Sequence, residues 1–435
     1  MKLNQLLSIL LFSVFLTSCE KYLDVEPFDT VSDENTIFDK ASAETAVRGA
    51  YRSLASSNYG SAFQGAVLQS GGDIRSLNNA QSDLNVINYD LRSDIGFLST
   101  LWSNFYNTIN RANHVIEKVP QIEDVKLNSG LKNQLIGEAY VIRALSYFDL
   151  ARLFGNVQVF LTPTKIVSDR LGVKQKTQAQ VFDQVVADLD TAISLLPDDV
   201  VRNRSRRSTA LALRSRVYLY QQKYAEAEAD ANTVLVNQQY RLVKPFALAA
   251  GTPESILELA YSVDAVNAGY ALWNTSNRAL EPKASVHNLL NDAEVGGGRK
   301  LLSVANNAGQ FIGGIFPTNT ASNYVIRTAE LYLIRAEARV QKAEPDFEGA
   351  IADVNAVRAR AGVANSSAST KQDILVSIEN ERRVEFALEP FRWFDLVRTG
   401  RAAAMLNATN PQKYIFPIPA SEIIADPSLV QNPGY

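Results

Sequence analysis

The polar and apolar positions of this chain repeat mostly with the period of an α-helix. Over residues 97–119 the apolar side chains recur three or four residues apart and form one stripe: Leu101, Phe105, Ile109, Ala112 and Ile116. Similar patterns predict helices over 41–53 and 131–154, the second ended by Gly155. The sequence therefore predicts an all-α fold.

Two stretches resemble the 34-residue tetratricopeptide repeat, in which paired helices pack through small and aromatic side chains. In 211–235 the matching positions hold Ser215, Tyr218, Tyr224, Ala227, Ala231 and Val234. In 329–362 they hold Phe347, Ala350, Val354 and Val357. A third, looser unit joins 131–154 to 181–197 and matches at Ala192 and Pro197. We therefore predict an α-α superhelix of tetratricopeptide-like helical pairs, with unrelated amphipathic helices as the alternative.

Two segments lack the helical period. One covers about 56–94 and is rich in Gly, Ser and Asn; the other covers about 241–323 and is rich in Gly, Asn and aromatic residues. The second separates helical repeats at about 97–240 from those at about 324–362. We predict that both segments form a loop-rich binding lobe, and that the second is an irregular insertion into the helical body with short strands. Binding residues concentrate on loops that a rigid scaffold holds, so ligand contacts are expected here.

The amino terminus has the pattern of an export signal. Lys2 precedes an almost wholly apolar run over 6–16, and no further charge occurs before Glu20. This uncharged stretch is shorter than the ~20 apolar residues that a membrane-spanning helix needs. No later segment approaches that length, so we predict no transmembrane helix.

Cys19, the single cysteine, follows Leu-Thr-Ser at the end of the apolar run. This arrangement resembles the bacterial lipobox, in which the cysteine receives a diacylglycerol before the leader is removed. We predict a signal peptide over 1–18, a lipidated tether over 19–40 and the body over 41–435. An ordinary signal peptide with an incidental cysteine is the alternative.

Composition narrows the class of partner. The 435 residues carry a net charge of −3, and 46% are hydrophobic, as in soluble globular proteins. The absence of a basic excess argues against nucleic acid as a partner. A single cysteine rules out an internal disulfide.

The sequence offers little catalytic chemistry. His114 and His287 lie far apart, neither has another His or Cys three or four residues on, and His114 is expected to be partly buried and hydrogen-bonded. Phosphate-binding loops and serine nucleophile elbows are missing. The run from Gly296 to Arg299 lacks a lysine, so we expect a flexible turn there. We predict no enzyme activity, no metal and no cofactor.

Four blocks carry a resemblance to a known family. Residues 381–398 read E-R-R-x-E-F-A-x-E-x-x-R-W-F-D-L-x-R, and the chain ends with P-I-P…Q-N-P-G-Y. By itself the first block predicts a core helix with surface ion pairs. Together with the blocks 101–117, 137–155 and 326–338 and the lipobox, it resembles the SusD/RagB family of outer-membrane lipoproteins.

The resemblance implies a lipid-anchored protein of the cell outer membrane, exposed at the surface beside a SusC-like TonB-dependent transporter. It implies capture of oligosaccharides, in some members of peptides, and their delivery to that transporter, without catalysis or cofactor. Two alternatives remain from the residues alone. One is a tetratricopeptide-type scaffold of the cell envelope that binds only proteins, and the other is a surface glycosidase.

Sugar binding commonly combines a flat aromatic face with amide, carboxylate or guanidinium groups that reach the hydroxyls. The irregular segments supply two such sets of candidates: Tyr270, Trp273, Asn274 and Arg278, then Asp73, Arg75, Asn78 and Tyr89. We predict that Trp273 stacks on the ligand, with core packing as the alternative. For Asp73 and Arg75 the alternative is a structural ion pair. Trp102 and Trp393 are expected to pack in the core.

Overall fold

The computed structural model describes residues 36–435 apart from 79, 245, 248–250 and 275–277. The predicted signal peptide, Cys19 and most of the predicted tether lie outside the described residues. Within them the chain is mostly helical, as the sequence predicts.

The helices follow one another along the chain as α1 (Lys40–Ser53), α2 (Ser61–Ser70), α3 (Gln81–Ile87), α4 (Gly96–Lys118), α5 (Ser129–Phe154), α6 (Gln178–Leu195), α7 (Arg207–Tyr220), α8 (Tyr224–Leu235), α9 (Ala268–Asn274), α10 (Ala284–Asn291), α11 (Thr328–Gln341), α12 (Phe347–Ala361), α13 (Lys371–Glu385), α14 (Arg392–Arg398), α15 (Ala402–Leu406) and α16 (Ala420–Ala425). Short strands in the described residues form three antiparallel pairs: β1 (Ile74–Ser76) with β3 (Leu280–Pro282), β2 (Ser255–Leu259) with β6 (Asn323–Arg327), and β4 (Ser303–Ala305) with β5 (Phe311–Gly313).

The apolar stripe predicted on α4 faces the core. Leu101, Phe105 and Ile109 are buried, and α4 packs against α5. From Leu135 onward nearly every residue of α5 is buried, so this helix forms the centre of the body. Gly155 ends α5 with φ of 70°, a conformation that L side chains rarely adopt.

The predicted helical pairs are present. In the pair α7–α8 the hydroxyl of Ser215 donates to the carbonyl oxygen of Ala227 at 2.7 Å, which requires close approach of the two helices. In α11–α12 the small side chain of Ala350 is fully buried, and in α5–α6 Ala192 is fully buried as well. Small residues therefore sit where the helices meet, and the predicted fold class is confirmed.

The segment 56–94 is more regular than predicted, because it contains α2, β1 and α3. From Phe63 to Ser70 every residue of α2 is buried. The helix therefore lacks a polar face, and its sequence does not show the three- to four-residue repeat that identifies an amphipathic helix. The helix α3 spans only two turns. The prediction of a continuous irregular segment was therefore wrong here.

The segment 241–323 contains the short strands expected of it together with α9 and α10. A second hydrophobic core holds this lobe together and includes Phe246, Leu272, Trp273, Leu290 and Phe316.

The Gly296–Arg299 run is tightly packed rather than flexible. A Cβ atom on Gly296 would lie 2.0 Å from the carbonyl oxygen of Leu290. A Cβ atom on Gly297, whose φ is 55°, would lie 2.4 Å from the carbonyl oxygen of Ala361 at the end of α12. The glycines therefore allow the lobe to approach the helical body closely.

A cluster of buried charges joins the lobe to that body. Arg327 lies within 3.0 Å of Glu254, 2.9 Å of Glu385 and 2.6 Å of Glu389. Arg299 donates to Glu385 at 2.7 Å. The expectation of surface ion pairs in the 381–398 block was therefore wrong. The pairs are buried because α13 packs against α11, α12 and the lobe helix α10.

Candidate functional site

A two-stranded ribbon brings the two irregular segments together. In this ribbon Arg75 pairs with Glu281 and Ser76 with Leu280. The backbone amide of Leu77 extends the pairing by donating to the carbonyl oxygen of Ala279 at 2.8 Å. The ribbon therefore brings together candidate binding residues that lie about two hundred residues apart in sequence.

An open groove of about 220 Å³ lies beside the ribbon. Its walls come from α2, α3, the start of α4, α9 and the ribbon itself. The lining combines small side chains with a few polar and apolar groups: Ser61, Ala62, Gly65, Ala66, Gln69, Ser76, Asn78, Ser82, Asp83, Val86, Phe97, Leu272, Ala279 and Leu280. We take this groove as the candidate site.

Asp83 is the centre of the polar groups in the groove. Its carboxylate accepts hydrogen bonds from the hydroxyl of Ser76 at 2.8 Å and from the amide of Gln69 at 3.4 Å. Gln69 is 5% exposed, and its Oε1 atom has no hydrogen-bond partner among the described residues. Unsatisfied buried polar atoms are uncommon in proteins. The groove therefore contains an acceptor whose hydrogen bonding is incomplete.

Asn78 stands at the edge of the groove. It is exposed, and its backbone amide donates to the hydroxyl of Ser76 at 3.0 Å. In the described structure the side-chain amide makes no hydrogen bond to protein. Of the sequence candidates, Asn78 is the one that lines the groove.

Trp273 does not offer a stacking face, so this prediction is corrected. Its side chain is completely buried in the second core. A Cβ atom on Gly313 would lie 2.4 Å from the indole ring, which shows that β5 covers it. The alternative of core packing is the correct one. The neighbouring Leu272 lines the groove instead.

The other candidates of this segment have different surroundings. The side chain of Asn274 donates to the carbonyl oxygen of Phe316 at 2.8 Å and so ties α9 to the following chain. Tyr270 is partly buried against the second core. Arg278 has buried Nε and Nη2 atoms without a hydrogen-bond partner among the described residues, and it precedes the groove residue Ala279.

Asp73 and Arg75 do not pair with each other. Asp73 is buried, and its carboxylate lies 2.6 Å from Arg383 and 3.0 Å from Arg392. Arg75 reaches Glu281 at 2.6 Å, while 56% of its own side chain stays exposed. A buried carboxylate requires cationic partners, so Asp73 has a structural role and its assignment as a ligand contact is corrected.

Tyr89 is also a structural residue. Its ring stacks on Trp393 with 5.4 Å between the centroids, and its hydroxyl donates to the carbonyl oxygen of Ser70 at 3.1 Å. Burial raises the pKa of Tyr89 to about 12. Trp102 and Trp393 are buried, as predicted.

The sequence did not single out Asp83, Ser76, Gln69 or Phe97. The three polar residues are ordinary in sequence and become a cluster only when α2, β1 and α3 meet. The sequence pattern places Phe97 at the start of the helix over 97–119 and does not indicate that it faces a groove. Its position directly after an irregular segment was a weak signal for a half-buried aromatic residue.

Metal chemistry finds no support in the part of the chain that the structure describes. No group of three or more His, Cys, Asp or Glu side chains lies close enough together there to hold a metal ion. His287 contacts the hydroxyl of Ser303 at 2.9 Å and stacks on Phe311 with 4.0 Å between the ring centroids. His114 is partly buried and has an interaction partner, as expected.

Comparison of the sequence with family models assigns the chain to a known group. Residues 21–219 match the model described as "Starch-binding associating with outer membrane", and residues 313–412 match the model described as "SusD family". Together the two matches cover more than half of the chain. The chain belongs to the SusD/RagB family. Proteins of this family bind carbohydrates and associate with the outer membrane.

Relatives of this SusD-like chain match it over most of its length. SusD-like protein P38 of Formosa agariphila is 25% identical, covering 97% of this chain and 96% of the relative. A SusD-like protein of Bacteroides ovatus is 25% identical, covering 72% of this chain and 68% of the relative. A solved structure named "Laminarin binding SusD-like protein" is 25% identical, covers 92% of this chain and all of that one, and superposes with a TM-score of 0.78.

Across the described residues of this SusD-like chain, we find no helix with the length and apolar character required to cross a bilayer.

Proposed function

We propose that the chain is a cell-surface lipoprotein that binds oligosaccharides in the groove and delivers them to a SusC-like TonB-dependent transporter. The observation that supports this most strongly is the convergence of the two irregular segments on one open groove beside the β1–β3 ribbon. The fold and the family support a carbohydrate as the ligand class.

The groove has the chemistry that a sugar requires. Hydroxyl groups can donate to the carboxylate of Asp83 and accept from the amide of Asn78, while Phe97 and Leu272 offer apolar surface to the C–H face of a ring. Arg75, on the ribbon itself, keeps 56% of its side chain exposed and is a further donor, although neither it nor Arg278 lines the groove.

Binding without hydrolysis is proposed. Among the described lining residues of the groove, Asp83 is the one carboxylate. Glycoside hydrolysis generally uses two carboxylates that flank the scissile bond. The lining therefore favours a binding role over the glycosidase alternative.

Attachment through Cys19 is part of the proposal. In this account the signal peptide 1–18 is removed, Cys19 carries the lipid and the tether 19–40 leads to the body. Each buried methylene contributes ~0.8 kcal/mol to membrane binding, so an anchor of several acyl chains would hold the protein firmly.

A glycan array with the leaderless protein tests the ligand class. We expect binding to at least one family of oligosaccharides, with laminarin oligosaccharides as the first probe, since a solved relative is named for laminarin. Binding restricted to peptides, or hydrolysis of the glycan that binds, would contradict the proposal. Co-purification of the full-length protein with a TonB-dependent transporter from outer membranes tests delivery.

A further inference from the structure

A second pocket lies in the helical body, away from the groove. It has a volume of about 310 Å³ and opens between the turn that joins α7 to α8, the end of α11, and the helices α13 and α14. This volume falls at the lower end of the roughly 300–1,000 Å³ typical of small-molecule sites. None of the candidate binding residues predicted from sequence lines this pocket.

The pocket is rich in arginine. Its lining includes five arginines and three carboxylates, Glu337, Glu379 and Asp395. Asp395 lies between two of the arginines, 2.7 Å from Arg382 and 3.0 Å from Arg398. Burial would raise the pKa of Asp395, but the charges of Arg382 and Arg398 outweigh burial and hold that pKa below its usual range. The Asp395 carboxylate therefore stays ionised, and the lining still holds five arginines against three carboxylates.

Arg382 is incompletely paired although it is buried. It is 6% exposed, and of its three guanidinium nitrogens only Nε donates to a described residue, Asp395. The Nη1 atom is buried and has no hydrogen-bond partner in the described chain. Leaving a charged donor buried without a partner is costly. A carboxylate is the group that matches the forked geometry of a guanidinium.

Arg383 and Arg392 contribute further positive charge to the wall of the pocket. Both lie against the single carboxylate of Asp73, which Arg383 contacts through two nitrogens. In the described structure the Nη1 and Nη2 atoms of Arg392 make no hydrogen bond. Burial, supported by the charge of Arg383, lowers the pKa of Arg392 against the opposing effect of Asp73. An added anion would relieve this crowding of positive charge.

The remaining lining indicates a ligand with many hydroxyl groups. Gln222, Gln341 and Gln372 line the pocket, and their side-chain amides make no hydrogen bond within the described structure. Each amide offers both donors and an acceptor. The half-buried ring of Tyr224 adds a flat face. We propose that this pocket binds a uronic acid, with the sugar carboxylate on Arg382 and the hydroxyl groups on the glutamine amides.

Titration calorimetry of the leaderless protein with glucuronate tests the proposal, with glucose as the neutral analogue. We expect glucose to bind at least about tenfold more weakly, since it lacks the charge that pairs with the guanidinium. Inorganic sulfate should compete with glucuronate, because both are oxyanions. The neutral sugar binding equally well, or sulfate failing to compete, overturns the proposal.

Two variants locate the binding. Arg382→Gln should raise the Kd for glucuronate at least about tenfold, and Gln372→Glu should raise it several-fold by placing a negative charge at the exposed edge. Asn380→Asp adds the same charge to an exposed position of α13 outside the lining and should leave the Kd nearly unchanged. Because Arg382→Gln removes a buried ion pair, circular dichroism is used to check that this variant still folds. Gln372→Glu changes an exposed residue, so it tests the site without disturbing the buried ion pair. An unchanged Kd in Gln372→Glu overturns the proposal.

Two further measurements separate this site from its alternatives. Ser61→Trp, which fills the groove of the proposed glycan site, should leave glucuronate binding unchanged, so either site can fail without the other. N-acetylglutamate carries a carboxylate without sugar hydroxyls. If it binds as tightly as glucuronate, the pocket recognises acidic peptides or amino acids and the assignment to uronic acids is wrong.

Discussion

The buried charge cluster around Glu385 makes a quantitative prediction. Glu385 is fully buried and accepts hydrogen bonds from Arg299 at 2.7 Å, from Arg327 at 2.9 Å and from Arg360. Burial would raise the pKa of Glu385, but the charges of Arg360, Arg299 and Arg327 hold it well below its usual range. Its negative charge is therefore present at neutral pH, and three guanidinium groups share it.

Glu385→Gln keeps the shape of the side chain and removes this charge. Removing one partner from a buried ion pair costs roughly 3–5 kcal/mol. The entropy of unfolding is about 2.1 cal/mol/K per residue, or about 0.9 kcal/mol/K for this chain. The free-energy loss therefore corresponds to a Tm lower by about 3–6 °C, to be measured by scanning calorimetry of the leaderless protein.

A matched substitution on the same helix serves as the control. Glu379 pairs with Arg401 at 3.0 Å, but their side chains are 21% and 41% exposed. An exposed pair contributes at most about 1 kcal/mol, so Glu379→Gln should lower the Tm by about 1 °C or less. If the two variants melt at the same temperature, the buried cluster does not stabilise the junction between lobe and body in the way we argue.

Three further predictions concern packing, pH and attachment. Gly296→Ala should destabilise the fold by more than about 2 kcal/mol in urea unfolding, since its Cβ atom would meet a backbone oxygen, whereas Gly96→Ala, with open space around it, should be neutral or stabilising. Asp395 has a pKa below its usual range, so its contribution to stability is complete above about pH 4 and is lost as the pH falls through its folded pKa. The unfolding free energy of the parent should therefore fall more steeply between about pH 4 and pH 2 than that of Asp395→Asn, and parallel slopes would contradict the assignment. Cys19→Ser should abolish partitioning with outer membranes into detergent, and unchanged partitioning would refute the lipid anchor.

The helical body was predictable from sequence because its signals are local. Each signal depends only on positions that are close together in the sequence. These signals are the apolar stripe on α4, the glycine that ends α5 and the small residues between paired helices. The buried helix α2 shows the limit of this approach. The lobe and the body cover this helix on both sides, so it has no polar face. The helical period that reveals an amphipathic helix therefore does not occur in its sequence.

The candidate site was predictable only at the level of segments. The sequence indicated two irregular stretches, and the structure brings them together at one ribbon. It did not indicate which residues face solvent. Trp273 is the residue type expected of a sugar platform but packs beneath Gly313. Asp83 and Gln69 gain their importance from side-chain contacts between successive short elements, which sequence periodicity does not reveal.

The same limit applies to the charged block 381–398. Alternating charges on a helix ordinarily indicate a solvated face. In this chain Glu385 and Glu389 meet Arg327, which lies about sixty residues earlier, so the charges are buried in pairs. Only the three-dimensional arrangement distinguishes a solvated charged helix from one that carries a buried ionic cluster.

The central claim, that a glycan binds in the groove beside the ribbon, is tested most directly by filling that groove. Ser61 is exposed at the start of α2 and lines the groove, whereas Ser56 is exposed nearby and does not line it. With the best glycan from the array, calorimetry should show at least about a tenfold loss of affinity for Ser61→Trp, as expected when a bulky side chain displaces a ligand from its site. Ser56→Trp should bind like the parent. Equal affinity in the two tryptophan variants would contradict the account and place the glycan elsewhere on the protein.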